Sequence, residues 1–104
     1  MGILVICSYK PHPGREDEAR LLMQGHVPLL REHDLITERP VVQGIARSGE
    51  LIEIFEWQSV EKSRGAPALP EIGAHWKAMS EVMDFVPMAS LSESQHAFAH
   101  FTPL

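Results

Sequence analysis

The chain has 104 residues, 44% of them hydrophobic, and a formal net charge of −5. That length makes one domain with a modest core, and the apolar content argues against disorder. The nine Lys and Arg are scattered and form no patch, which argues against a nucleic-acid partner, since phosphate binding needs a basic face.

A lone cysteine, Cys7, leaves no internal disulfide, which fits a reducing cytoplasm. It falls in an apolar run and reads as a small buried residue. The opening MGILVICSYK is too short for a signal-peptide core with a cleavage site. Ile6 stands where a myristoylation signal requires Ser or Thr. No run approaches the ~20 apolar residues of a membrane span. The expectation is a cytoplasmic protein without a membrane contact.

In chain order, Ile3–Tyr9 is apolar without polar alternation, the pattern of a strand buried on both faces. Pro11 and Pro13 end it. Residues 14–33 follow helical spacing: Ala19, Leu22, Met23, His26, Leu29, Leu30 and His33 share one stripe. Gly25 and Pro28 interrupt that helix, and Pro28 cannot donate to the Gln24 carbonyl, so a kink or restart is predicted near His26. Val41–Trp57 then reads as a hairpin turning at Ser48-Gly49. Ser59 is a candidate N-cap for a second helical region. That region is broken by Gly65, Pro67 and Pro70 and resumes at about Pro70 with a stripe of Ile72, His75, Trp76, Met79, Val82 and Met83. Phe85–Leu91 reads as a final strand, with Pro87 at an edge or bulge. The tail, residues 92–104, carries Phe98 and Phe101, which are expected to tie it down.

The order β-α-β-β-α-β predicts an α+β domain: an antiparallel, ferredoxin-like sheet with both helices on one face. Two strands, Ile3–Tyr9 and Leu51–Trp57, have apolar residues on both faces. A single chain would expose several of these, more than the usual apolar patch. A second sheet is the simplest cover, so a homodimer is expected.

With a two-residue loop flanked by Arg47 and Glu50, Gly44 would pair with Glu53, Gln43 with Ile54 and Ala46 with Leu51, and directly opposed residues share a face. Glu53 would then stand opposite Gly44, amid Leu51, Phe55 and Trp57, with space around its carboxylate. A buried carboxylate is costly unless paired or protonated. Three readings stay open: Glu53 pairs with an Arg or His, reaches solvent at a rim, or acts on a ligand in a pocket. Glu56 reads as a rim or interface charge.

His26 sits where the helix stripe calls for Leu. It is either a satisfied core histidine or a functional one, and a His26–Glu53 contact across the helix–sheet interface would make an acid–base candidate. His75 lies at the margin of the second stripe, while Trp76 reads as core. His96 and His100 have i,i+4 spacing but no evident third ligand, so no metal is expected. No GxGxxG, Walker or nucleophile-elbow pattern is present, and no cofactor is expected.

The segments ILVICSYK with PHPGRED, HVPLLREHDL, LIEIFEWQS leading into a helix, and AHWKAMSEVMDFVPMASL together resemble the dimeric α+β barrel superfamily, and within it the branch of antibiotic-biosynthesis-type monooxygenases. The resemblance implies a sheet-on-sheet homodimer with a ligand cavity between sheet and helices in each subunit. It makes His26, Glu53 and His75 the catalytic candidates, and Gly44, Phe55, Trp57 and Trp76 the candidates for binding a small aromatic or hydrophobic molecule. The implied activity is cofactor-independent oxygenation of a quinol-like substrate. A non-catalytic ligand-binding or stress-type barrel, and an isomerase or lyase of the same superfamily, remain open. Two departures matter. Haem-degrading members have Asn in the first strand and a separated Trp and His on the second helix, whereas here Cys7 and Ser8 occupy the strand and His75 adjoins Trp76. Many stress-type members have a His early in the second helical region, and SRGAPALP has none.

Overall fold

The computed structural model describes residues 2–104. Strand β1 (Ile3–Pro11) is followed by α1 (Glu16–Glu32), the hairpin β2 (Val42–Ile45) and β3 (Leu51–Trp57), then α2 (Val60–Gly65), α3 (Pro70–Val82) and β4 (Met83–Val86). A two-residue strand, β5 (Thr102–Pro103), comes from the tail. The sheet order is β4-β1-β3-β2-β5, with every pair antiparallel. This α+β arrangement is compatible with a ferredoxin-like fold. Among the described residues no helix is long and apolar enough to cross a membrane.

α1 and α3 pack against each other and on one sheet face. Val27 and Leu30 of α1 and Ile72 of α3 close over Phe55 and Trp57. Ala19, Met23, Met79 and Val82 close over Tyr9 and Leu51. Glu16, Asp17 and Glu18 fill the first turn of α1, where the helix dipole favours negative charge. Ser59 caps α2 as expected, its hydroxyl accepting from the Lys62 amide at 3.1 Å.

The predicted restart near His26 does not occur. α1 runs unbroken through Gly25 and Pro28. A Cβ at Gly25 would meet the His75 ring at 3.5 Å, an ordinary van der Waals contact. The final strand also differs, running Met83–Val86 rather than Phe85–Leu91. Proline has no N–H for the ladder, and the strand stops at the residue before Pro87. Residues Met88–Ser90 and Ser92–Gln95 form 3₁₀ turns instead.

The hairpin register is offset by one residue from the expected one. Gln43, not Gly44, opposes Glu53, and Gly44 opposes Ile52. The loop has three residues, Arg47–Gly49. The Gly49 amide donates to the Ala46 carbonyl at 3.0 Å, the Ala46 amide donates to the Glu50 carbonyl at 2.8 Å, and Gly49 sits at φ +100°. A three-residue loop ending in a positive-φ glycine is a common hairpin closure, and a slip of one residue moves each side chain of β2 to the other face relative to β3. Gly44 therefore faces away from the helices, under the Thr102 carbonyl.

β1 is not buried on both faces within one chain. On the sheet face away from the helices, Leu4, Ile6 and Val42 are 59%, 47% and 58% exposed. The segment after β4, together with the tail, covers the other end of that face: Leu91 packs on Ala46 and Ile52, with Met88 and Phe101 at the margin.

Candidate functional site

Alternation along β3 aims Glu53 at the helices, between Leu51 and Phe55. Its side chain is completely buried, and His26, from the centre of the α1 stripe, is 3% exposed. His26 Nδ1 lies 2.8 Å from Glu53 Oε1. The same oxygen accepts from the Tyr9 hydroxyl at 2.9 Å, and Oε2 accepts from the Gln43 amide at 3.1 Å. On the far side of the imidazole, the Trp76 indole N–H donates to His26 Nε2 at 2.8 Å.

This chain of bonds fixes the proton on His26. An indole N–H can only donate, so Nε2 is the unprotonated nitrogen and Nδ1 carries the hydrogen given to Glu53. The carboxylate therefore receives three donors, His26, Tyr9 and Gln43. Hydrogen bonds to a charged group contribute about 1.5–3 kcal/mol each, enough together to offset the several kcal/mol needed to strip water from a buried ion. The expected room around Glu53 is filled by Gln43 and Tyr9. Among the described residues no buried side-chain nitrogen or oxygen lacks a partner.

The site lies at an open cleft of about 320 Å³ along the β1 edge of the sheet, bounded by the helices on one side and by Phe85–Met88 on the other. Its walls include Val5, Cys7, Phe55, Trp57, Trp76 and Met79, and both His26 and Tyr9 reach it. Glu53 stands behind them and does not line it. Phe55 and Trp57 meet edge to face at 5.3 Å between ring centroids, and Trp57 and Trp76 at 6.5 Å. The cavity is thus largely aromatic and aliphatic, with the His26 imidazole, the Tyr9 phenol, the Ser8 hydroxyl and the Cys7 thiol as its polar side chains.

Of the expected residues, His26, Glu53, Phe55, Trp57 and Trp76 come together. Gly44 does not: it lies on the opposite sheet face, because of the register. His75 is adjacent but turned away, since its Nε2–H donates to the Leu22 carbonyl of α1 at 2.8 Å. Its ring stacks on that of His26, 5.9 Å between centroids and 5° from parallel, and braces it. Tyr9 and Gln43 are functional neighbours that the sequence reading missed. For Gln43 the signal was present, because a three-residue hairpin loop places it opposite Glu53. For Tyr9 it was not, because the pairing of β1 with β3 is long-range. Glu56 lies at the sheet margin, accepting from Thr37 at 2.8 Å and pairing with Arg39 at 3.2 Å.

Burial, reinforced by the charge of Glu53, pushes the Tyr9 phenol far above its ordinary value of 10.0. Burial likewise pushes the Cys7 thiol up to about 11, a hydrogen bond with Tyr9 opposing and the Glu53 charge adding to the rise. Cys7 is thus a cavity wall and not a nucleophile. His96 and His100 share an exposed groove under the tail, and the chain beyond Gln95 is not helical, so their spacing does not align them. Among the described residues no group of three or more His, Cys, Asp and Glu side chains is placed to hold a metal ion.

Compared with known proteins, the chain matches no family model, and no curated protein or solved structure is significantly similar to it.

The two raised groups set the alkaline limit. An unfolded chain releases the Cys7 proton near pH 9.0 and the Tyr9 proton near pH 10.0, while the folded chain keeps both. Unfolding then releases protons, so this part of the stability is complete below pH 9.0 and declines as pH rises above it. Tyr9 is the single tyrosine. In an alkaline titration, tyrosinate absorbance is expected only together with loss of circular dichroism. Tyrosinate forming near pH 10 in a chain that stays folded would contradict the buried Tyr9–Glu53 contact.

Proposed function

We propose that the protein binds a small flat aromatic or hydrophobic molecule in this cavity and acts on a hydroxyl-bearing, quinol-like one as a cofactor-independent monooxygenase. The observation that carries the reading is one imidazole on the wall of an aromatic box, held in the Nδ1–H form by a buried carboxylate. Such an imidazole can take a proton at Nε2. The imidazolium formed would face the Glu53 carboxylate, the arrangement that makes a histidine an effective base. The substrate anion is then the reductant: it passes electrons to dioxygen, one oxygen atom stays in the product as a carbonyl and the other leaves as water. The resemblance to the monooxygenase branch of the dimeric α+β barrels belongs to this proposal, and the sheet order with both long helices on one face is compatible with it. The lone Cys7 fits a cytoplasmic setting.

One observation favours a second reading, binding without turnover: both nitrogens of His26 are engaged by protein groups. Oxygen uptake with a panel of quinols and naphthols separates the two. The expected result is uptake with at least one compound, reduced about 100-fold or more in His26→Ala while the compound still binds. Binding without uptake would favour the second reading. Turnover without oxygen would indicate an isomerase or lyase, and unchanged turnover in His26→Ala would remove His26 as the base.

We infer further that two chains associate through the second sheet face. Leu4, Ile6 and Val42 lie exposed on that face, and a second copy would cover them with the same apolar set. Sedimentation at micromolar concentration is expected to give twice the 11.7 kDa chain mass, and Val42→Glu to give the monomer. A wild-type monomer would overturn this.

A further inference from the structure

We propose that Trp76 is a displaceable gate on His26, and that the acceptor nitrogen it covers makes the cavity selective for ligands with a hydroxyl or another hydrogen-bond donor. The inference rests on the cavity being the ligand site.

The polar groups within reach of a cavity ligand are few. The Tyr9 hydroxyl hydrogen is spent on Glu53, and His26 Nδ1–H is spent on the same oxygen. Ser8 and Cys7 also line the cavity, with the Ser8 hydroxyl donating to the Met88 sulfur at 2.9 Å; the ring-nitrogen acceptor there is His26 Nε2, and the Trp76 indole N–H already occupies it at 2.8 Å. Both rings line the cavity. An ether or a carbonyl gains nothing at this nitrogen, because it offers no hydrogen. A phenolic hydroxyl can take the place of the indole, exchanging one hydrogen bond for another. Trp76 is only half-buried, so its displaced N–H can turn towards water. An indole that donates to the base thus keeps the nitrogen satisfied without a ligand and yields it to a hydroxyl. That also accounts for both His26 nitrogens being engaged in a site with proton-transfer chemistry.

The chain has two tryptophans, so an ¹H–¹⁵N spectrum shows two indole N–H signals, those of Trp57 and Trp76. The probes are 1-naphthol and 1-methoxynaphthalene, which share the aromatic body and differ in the donor. In the wild-type protein, naphthol is expected to move the Trp76 indole signal towards the position of a water-exposed indole. Methoxynaphthalene is expected to bind and leave it in place. In Trp76→Phe the competitor is gone, and the preference for naphthol over its methyl ether is expected to rise about 3- to 10-fold. A wall residue would change both affinities alike. If naphthol perturbs cavity residues such as Val5 and Met79 while the Trp76 indole signal stays put, the gate is wrong and the cavity reading stands. If neither probe perturbs the cavity residues, the cavity reading fails and the gate with it. Should Trp76→Phe not fold, the wild-type spectra decide alone.

Discussion

A carboxylate with no solvent exposure organises this protein. Glu53 lies in the middle of β3 with Leu51 and Phe55 on either side, and its charge is tolerable only if donors surround it. They come from three different elements: Tyr9 from β1, Gln43 from β2 and His26 from α1. Through His26 the network reaches α3 at Trp76. The interior therefore has one arrangement in which the polar groups are satisfied, and that arrangement fixes how both long helices sit on the sheet. Apolar packing alone would tolerate small shifts of α1 over Phe55 and Trp57. Losing a 2.8 Å bond to a buried carboxylate is far more costly.

The same constraint prepares the chemistry. Glu53 selects the Nδ1–H form of His26, and the His75 ring stacks on it from behind. The result is an imidazole whose Nε2 lone pair, held by the Trp76 indole N–H, is directed to the aromatic side of the domain. Tyr9 and Cys7 border the same cavity as a neutral phenol and a neutral thiol. The cavity thus sets the His26 imidazole among largely apolar walls, and the proposed binding of a flat hydroxyl-bearing molecule rests on that combination.

Much of this was legible in the sequence, for local reasons. Helical periodicity placed His26 at the centre of the α1 stripe, and strand alternation put Glu53 on the face of Leu51, Phe55 and Trp57. Neither inference depends on register. Where register mattered, the reading failed. Ser48-Gly49 suits both a two- and a three-residue loop, since each wants a positive-φ glycine, and the choice exchanged Gln43 for Gly44 beside the carboxylate. Tyr9 needed the long-range pairing of β1 with β3. The unbroken α1 was missed because Pro28 costs the helix its bond to Gln24 yet the buried stripe on either side still holds it together. The tail as a cover for one end of the second sheet face had no periodic signal.

The account depends most on which nitrogen of His26 carries the proton. Nitrogen-15 NMR of the imidazole at neutral pH reads this directly. The structure predicts a protonated Nδ1, an unprotonated Nε2, and a coupling across the hydrogen bond between Nε2 and the Trp76 indole. A ring protonated at Nε2, or at both nitrogens, would contradict it and dissolve the Trp76–His26–Glu53 chain on which the site is built.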